Sequence, residues 1–259
     1  MSRPSNTADS AGQPWAGRSF TPNPFAGDDG LMPAELGAAL ARFRAGEAGP
    51  ETVVDAFRGS RLLIPLIAHA GDVGVNAEGL TVDKTQELSI VTVTGPDGRK
   101  VLPVFSSVEA MTRWRADARP VPADGIRVAI AAAGDETDLV ILDPTSDTEF
   151  ALRRPAVWAV AQELPWQPAW TDPSVLEAVR ATLHDVPAVR AVELEPADPE
   201  ARLRGPEVRI VLHLAAGLAQ EQVAAVVQTL AARWAAEETI ALRIDSLTVQ
   251  IRPAETHDA

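Results

Sequence analysis

Past its midpoint the chain is interrupted by Leu164-Pro165-Trp166-Gln167-Pro168-Ala169-Trp170-Thr171-Asp172-Pro173, with three prolines in nine residues. Each proline lacks a backbone donor and fixes its own φ, so this stretch excludes continuous helix and favours an extended connector. A chain of 259 residues divided there is long enough to bury a core on each side. The chain is expected to divide into a tail at residues 1–30, an N-terminal domain at 31–164, a connector at 165–172, a C-terminal domain at 173–252 and a second tail at 253–259. The first tail mixes Ser, Pro, Gly, Asn and Asp without periodicity and is expected to be disordered.

Composition narrows the function classes. With 36 acidic against 23 basic side chains the net charge is −13, which argues against partners held by clustered positive charge, namely nucleic acid and anionic membranes. Cysteine is absent, which removes disulfides, thiolate metal sites and thiol nucleophiles together. The first twenty residues lack the apolar run of a secretory signal, and a cytoplasmic protein is expected.

Periodicity before the connector suggests helices, then strands, a helix and strands again. Leu36, Leu40 and Phe43 share one helical stripe, and Pro50 with Val53, Val54 and Phe57 marks a second short helix. Residues 61–68 are a dense apolar strand whose Pro65 implies an edge or a bulge. A hairpin is expected over residues 87–105 around Asp97-Gly98, its first arm central and covered on both faces. Ser106 with Glu109 reads as a capping box opening a helix with Val108, Met111 and Trp114. Two short strands follow at 127–132 and 139–142, then a helix over 153–162.

After the connector, Asp172-Pro173 caps a helix carrying Val175, Leu176, Val179 and Leu183. Strands follow at 189–194 and around 208–214, and Val223, Val226, Val227, Leu230 and Trp234 stripe a long helix. The final apolar positions change phase between Ile240-Leu242-Ile244 and Leu247-Val249-Ile251, which reads as one strand with a β-bulge at Asp245-Ser246. The predicted fold class is α+β, two small helix-on-sheet layer domains, the second ordered α-β-β-α-β.

Candidate chemistry is sparse. Of the four histidines, His69 with Asp72 is the best acid/base or small-ligand pair, against the reading of a solvated loop. His213 falls on a polar sheet face, His184 ends a helix and His257 belongs to a tail. Asp135, Glu136, Asp138, Asp143 and Asp147 do not follow the order of a calcium loop and read as a solvated acidic rim. Carboxylates of the 193–200 loop are read the same way. No cofactor or metal is expected. The indoles Trp158, Trp166 and Trp170 either pack the two domains together or present a patch for a protein partner.

Several strings resemble the SseB family, the enhanced-serine-sensitivity proteins of bacteria. They are Leu62-Leu63-Ile64-Pro65-Leu66, then Leu102-Pro103-Val104-Phe105-Ser106-Ser107 with Glu109 and Trp114, and Leu139-Val140-Ile141-Leu142-Asp143-Pro144. The resemblance runs over about residues 33–163 for the family's N-terminal domain and about 173–252 for its companion C-terminal domain. Where the family often has Asn-Pro after the late strand, this chain has Asp143-Pro144. The resemblance implies a protein without an established catalytic set. Its junction already has a structural account in which Pro103 ends pairing, Phe105 anchors the core and Ser106 caps the helix. The expected function is therefore a non-enzymatic accessory or interaction protein, with a small-ligand sensor, for instance of an amino acid, as the alternative.

Overall fold

The computed structural model describes residues 27–68, 73–75, 81–83, 88–134, 137 and 139–254. Its architecture is mixed α+β. Helices α1 (Ala34–Arg44) and α2 (Pro50–Gly59) open the fold, burying Leu36 and Leu40 from one and Val53, Val54 and Phe57 from the other. Strand β1 (Arg61–Ala68) follows, then the short antiparallel pair β2 (Val73–Val75) and β3 (Thr81–Asp83).

The hairpin region is divided between two sheets. Strand β4 (Leu88–Ile90) pairs with β1, whereas β5 (Val93–Thr94) pairs with β6 (Lys100–Val104) across the predicted turn. Gly98 supplies the positive φ of 83° that this turn needs, and Gly95 N donates to Arg99 O at 2.8 Å. The expectation of a central first arm is thus corrected: Val91 and Val93 are half-buried, Thr92 and Thr94 exposed. The doubly covered strand is β6, which lies between β5 and β8 (Val140–Leu142) in the order β5-β6-β8-β9, with β9 at Phe150–Leu152. Pro103 does not end its pairing, because β6 stays in parallel register with β8 to Val104↔Leu142 and Phe105 bridges back to Leu63.

Residues 115–134 depart most from the sequence reading. Strand β7 (Arg119–Asp124), which no alternation in the sequence announces, runs antiparallel to β1 with Leu63↔Pro122 and Pro65↔Pro120. Gly125 N donates to Ser60 O, so alternate N–H groups of β7 face β1 and the donor-less Pro120 and Pro122 fall on the outer edge. Leu63 N points the other way, to Phe105 O, and Pro65 follows it there, between that bridge and the start of β4 pairing at Leu66. All three prolines therefore sit where the β1–β7 ladder needs no donor. The predicted strand at 127–132 is instead part of helix α4 (Gly125–Gly134), which buries Val128, Ala129 and Ala132 as one stripe. Asp124 Oδ1 accepts from Arg127 N at 2.8 Å and starts it, and the alanines favour the helical state.

Helix α3 (Val108–Trp114) is capped by Ser107, whose hydroxyl accepts from Ala110 N, and not by Ser106; Glu109 pairs with Arg113 instead of closing a capping box. Helix α5 (Arg154–Ala161) completes this half. Its principal core joins α1, α2, α4 and α5 to Leu62, Ile64, Leu102, Val104, Val140 and Leu142. A smaller cluster on the opposite face holds Leu63, Phe105 and Met111 with Trp114.

Beyond the connector, α6 (Pro173–Ala181) is capped by Asp172 Oδ1 accepting from Ser174 N at 2.9 Å. Strands β10 (Val189–Pro196), β11 (Val208–Leu214) and β12 (Leu247–Pro253) form a sheet with β11 central, antiparallel to β10 and parallel to β12. Helices α7 (Gln220–Ala236) and α8 (Glu238–Arg243) make the crossover that a parallel pair requires. The predicted bulged strand is thus a helix followed by a strand: Ile240 and Ile244 lie four apart on one buried side, while Leu242 is 48% exposed. A separate core gathers Val175, Val179, Ile210, Leu212, Leu230 and Trp234. No helix among the described residues is long and apolar enough to cross a membrane.

Candidate functional site at the junction of the two halves

The pair His69 and Asp72 lies outside the described residues, as do Asp135, Glu136, Asp138 and His257. His184 is exposed, with Nδ1 3.0 Å from Ala181 O. His213 is half-buried on the sheet face, its Nε2 3.2 Å from Glu193 Oε1. Among the described residues, no group of three or more His, Cys, Asp or Glu side chains is placed to hold a metal ion.

The solvated acidic rim is corrected at Asp143, which is fully buried. Its Oδ1 accepts from Ser106 N at 2.7 Å, and Oδ2 accepts from the hydroxyls of Ser106 and Thr148 at 2.6 and 2.8 Å. The backbone there is left-handed, with φ of 46° at Asp143 and 66° at Thr145. Burial pushes the carboxyl up, and the three hydrogen bonds oppose that rise. Asp143 thus ties the ends of β6 and β8 together, and Ser106 serves it instead of the helix.

All three connector-region tryptophans are half-buried. Trp158 and Trp166 pack on the N-terminal core and Trp170 on the C-terminal one, so the indoles span the junction. The Arg154 guanidinium lies over the Trp158 ring, 5.2 Å from its centroid. An open groove of about 390 Å³ is lined by Trp158, Leu164, Pro165 and Trp166 on one side and by Leu242 and Arg243 of α8 on the other. Leu164 and Leu242 are 51% and 48% exposed. A second cavity, of about 30 Å³, is bounded by Trp166, Trp170, Arg153, Asp198 and Glu207. That is room for about two water molecules and far less than an amino acid occupies.

Around this cavity stands an ionic cluster that sequence reading did not find. Arg153 is 7% exposed and donates through Nη2 to Asp198 Oδ2 and Gly205 O, both at 2.7 Å. Its Nη1 donates to Asp245 Oδ2 at 3.3 Å and Ser246 Oγ at 3.2 Å. Arg99, from the β5–β6 turn, clasps Asp245 with two bonds of 2.9 and 2.8 Å. Burial alone would raise the Asp245 carboxyl, but Arg99's bonds and charge, with Arg153's, outweigh it and hold it below the ordinary range. Asp198, read as part of a solvated loop, is buried and also accepts from Leu203 N at 2.8 Å. Glu207 is 3% exposed and accepts from Asp245 N at 2.6 Å. Backbone pairing continues across the same junction, where Ala151 N donates to Ala201 O at 2.7 Å. Leu203 inserts beside Val101, Leu139 and Ile141 on the outer face of the four-stranded sheet.

These features define two α+β units joined by an aromatic connector and registered by buried ion pairs. Residues 36–159, a little under half of the chain, match the family model of the SseB protein N-terminal domain. The match takes in α5 to Ala159 and with it Arg153 and Trp158, and ends before the connector. No curated protein and no solved structure gives a significant match.

Proposed function

We propose that the chain is a non-enzymatic, cytoplasmic accessory protein that engages a protein partner through the groove between α5, the connector and α8. The carrying observation is the groove itself, in which two indoles, a proline and two half-exposed leucines line about 390 Å³ of open space. Large aromatic side chains with exposed apolar neighbours are the residues that anchor protein interfaces.

The test is affinity capture from the native host with mass spectrometry, comparing the wild type with Leu242→Asp in the groove and Ile251→Asp on the distant strand β12. Both positions are exposed, so both variants should fold. Loss of the captured partner with Leu242→Asp alone supports the reading, and an unchanged partner set with both variants overturns it. Trp166→Ala and Trp170→Ala separate packing from interface: if they melt the protein while the captured partners stay the same, these indoles serve packing.

A further inference from the structure

Glu207 stands immediately before β11 and faces the N-terminal half across the junction cavity, whose other wall carries Phe150, Ala151 and Trp166. The charged groups around it come from every element packed there. Arg153 and Arg154 approach from α5, Asp245 from the α8–β12 turn and Asp198 from the β10–β11 loop, with Arg99 beyond Asp245. The two guanidiniums of the cluster are already engaged, Arg99 by Asp245 and Arg153 by Asp198 and Asp245. Arg154 donates to the carbonyls of Ala241 and Ile244. Among the described residues Glu207 forms no ion pair within 4 Å: the Arg99 and Arg153 guanidiniums are matched to Asp245 and Asp198, and Arg153 and Arg154 act on its carboxylate only through their charge.

An ionised carboxylate in that position loses its hydration when the halves close and gains no cation in direct contact in return. A protonated one costs far less to bury. Separation of the halves returns the group to water, where it ionises as an ordinary glutamate. We propose that Glu207 makes the docking of the two halves proton-dependent, the junction closing on the protonated carboxyl and loosening when it ionises. Burial is the largest influence on the group and pushes it up to about 7; the Asp245 N–H bond and the charges of Arg153 and Arg154 oppose the rise, and the Asp245 charge adds to it.

Because Trp166 and Trp170 line the same cavity as Glu207, their emission reports on it. The experiment follows tryptophan emission, small-angle X-ray scattering and far-UV circular dichroism of the full chain from pH 5 to 9, in the wild type and Glu207→Gln. The expected result is a red shift and a larger radius of gyration above a midpoint near pH 7 in the wild type, with helix and strand content unchanged. Glu207→Gln should give flat profiles and stay closed at pH 8. Identical profiles in the two proteins would overturn the proposal. Should the variant fail to fold, the carboxyl ¹³C resonance of Glu207 in the wild type decides alone: a midpoint near 7 supports the proposal and one in the ordinary glutamate range sinks it.

Discussion

Replacing Arg153 by Met keeps the aliphatic stem and removes the guanidinium from the junction. Four hydrogen bonds go with it, to Asp198, Gly205, Asp245 and Ser246. The losses are unequal. Asp245 keeps both bonds from Arg99, whereas Asp198, with 4% of its side chain exposed, keeps the Leu203 N–H and loses its cation. Breaking a buried pair by removing one partner typically costs about 3–5 kcal/mol, because the other charge remains buried. Counting bonds gives the same scale, since the two 2.7 Å bonds made by a charged donor contribute about 1.5–3 kcal/mol each. In urea, with a slope of about 2–3 kcal/mol per molar, the midpoint should fall by roughly 1–2 M at pH 7. The double variant Arg153→Met/Asp198→Asn should recover at least about 2 kcal/mol relative to additivity. A single-variant loss below about 1 kcal/mol, or additive behaviour in the cycle, would refute the idea that this pair registers the two halves.

Two further substitutions test the N-terminal half. At Asp143, Asn should leave stability within about 1 kcal/mol of wild type or above it at pH 7, because an amide fits the left-handed backbone and the flanking hydroxyls can turn to serve it; Ala, which strands three donors, should lose about 1–3 kcal/mol. The sign with pH follows from the raised Asp143 carboxyl: the stability it contributes is complete below its unfolded pKa and is lost as pH rises through the folded one, so any advantage of Asn should vanish in acid, as denaturation at pH 4 and 7 would show. At Gly125, a Cβ would sit 2.1 Å from Phe57 O, so Gly125→Ala should destabilise by about 1–3 kcal/mol or more, read as a lower melting temperature; an unchanged melt would contradict the close approach of α4 to the end of α2.

What the sequence disclosed depended on how far each signal reached along the chain. The Asp97-Gly98 turn, the Asp172-Pro173 cap and the stripe of α7 are local features, and each is found where its chemistry puts it. The errors came from patterns with two readings. Ile240, Leu242 and Ile244 alternate like a strand, yet the outer two are also four apart, and the helix uses them while turning Leu242 to solvent. Residues 127–132 alternate as well, but Val128 and Ala132 carry the helical stripe and Asp124 stands ready as its cap. Pro120 and Pro122 disguised β7, because edge strands alone accept prolines at that spacing. The junction cluster was hidden for another reason. Arg153 meets Asp198 and Asp245 across 45 and 92 residues of chain, and nothing in the flanks of Arg153 or Asp198 marks either as buried. The one local hint was a carboxylate set directly against apolar strand or helix text, as Glu207 precedes Val208 and Asp245 follows Ile244.

Stability and mutual arrangement therefore reside in different parts of this molecule. The principal cores lie on opposite sides of the connector, and apolar packing across the junction centres on Leu203 beside the four-stranded sheet and Trp166 and Trp170 along the cavity. Directional ties span the remainder, among them the Arg99 fork, the four bonds of Arg153, the Arg154 bonds to the Ala241 and Ile244 carbonyls and the Ala151–Ala201 backbone bond. Buried ion pairs contribute little net stability against apolar packing of the same volume, but they tolerate a narrow range of geometries. Such ties fix the angle between the halves more strictly than an oily contact of equal area. The groove proposed for a partner takes Trp158 and Leu164 from one half and Leu242 and Arg243 from the other, so its width is set by that angle. A proton taken up or released at Glu207, a few bonds away through Asp245, acts on the same angle. Partner binding and proton binding should consequently be coupled, with the closed groove and the protonated cluster favouring one another by the same factor in both directions.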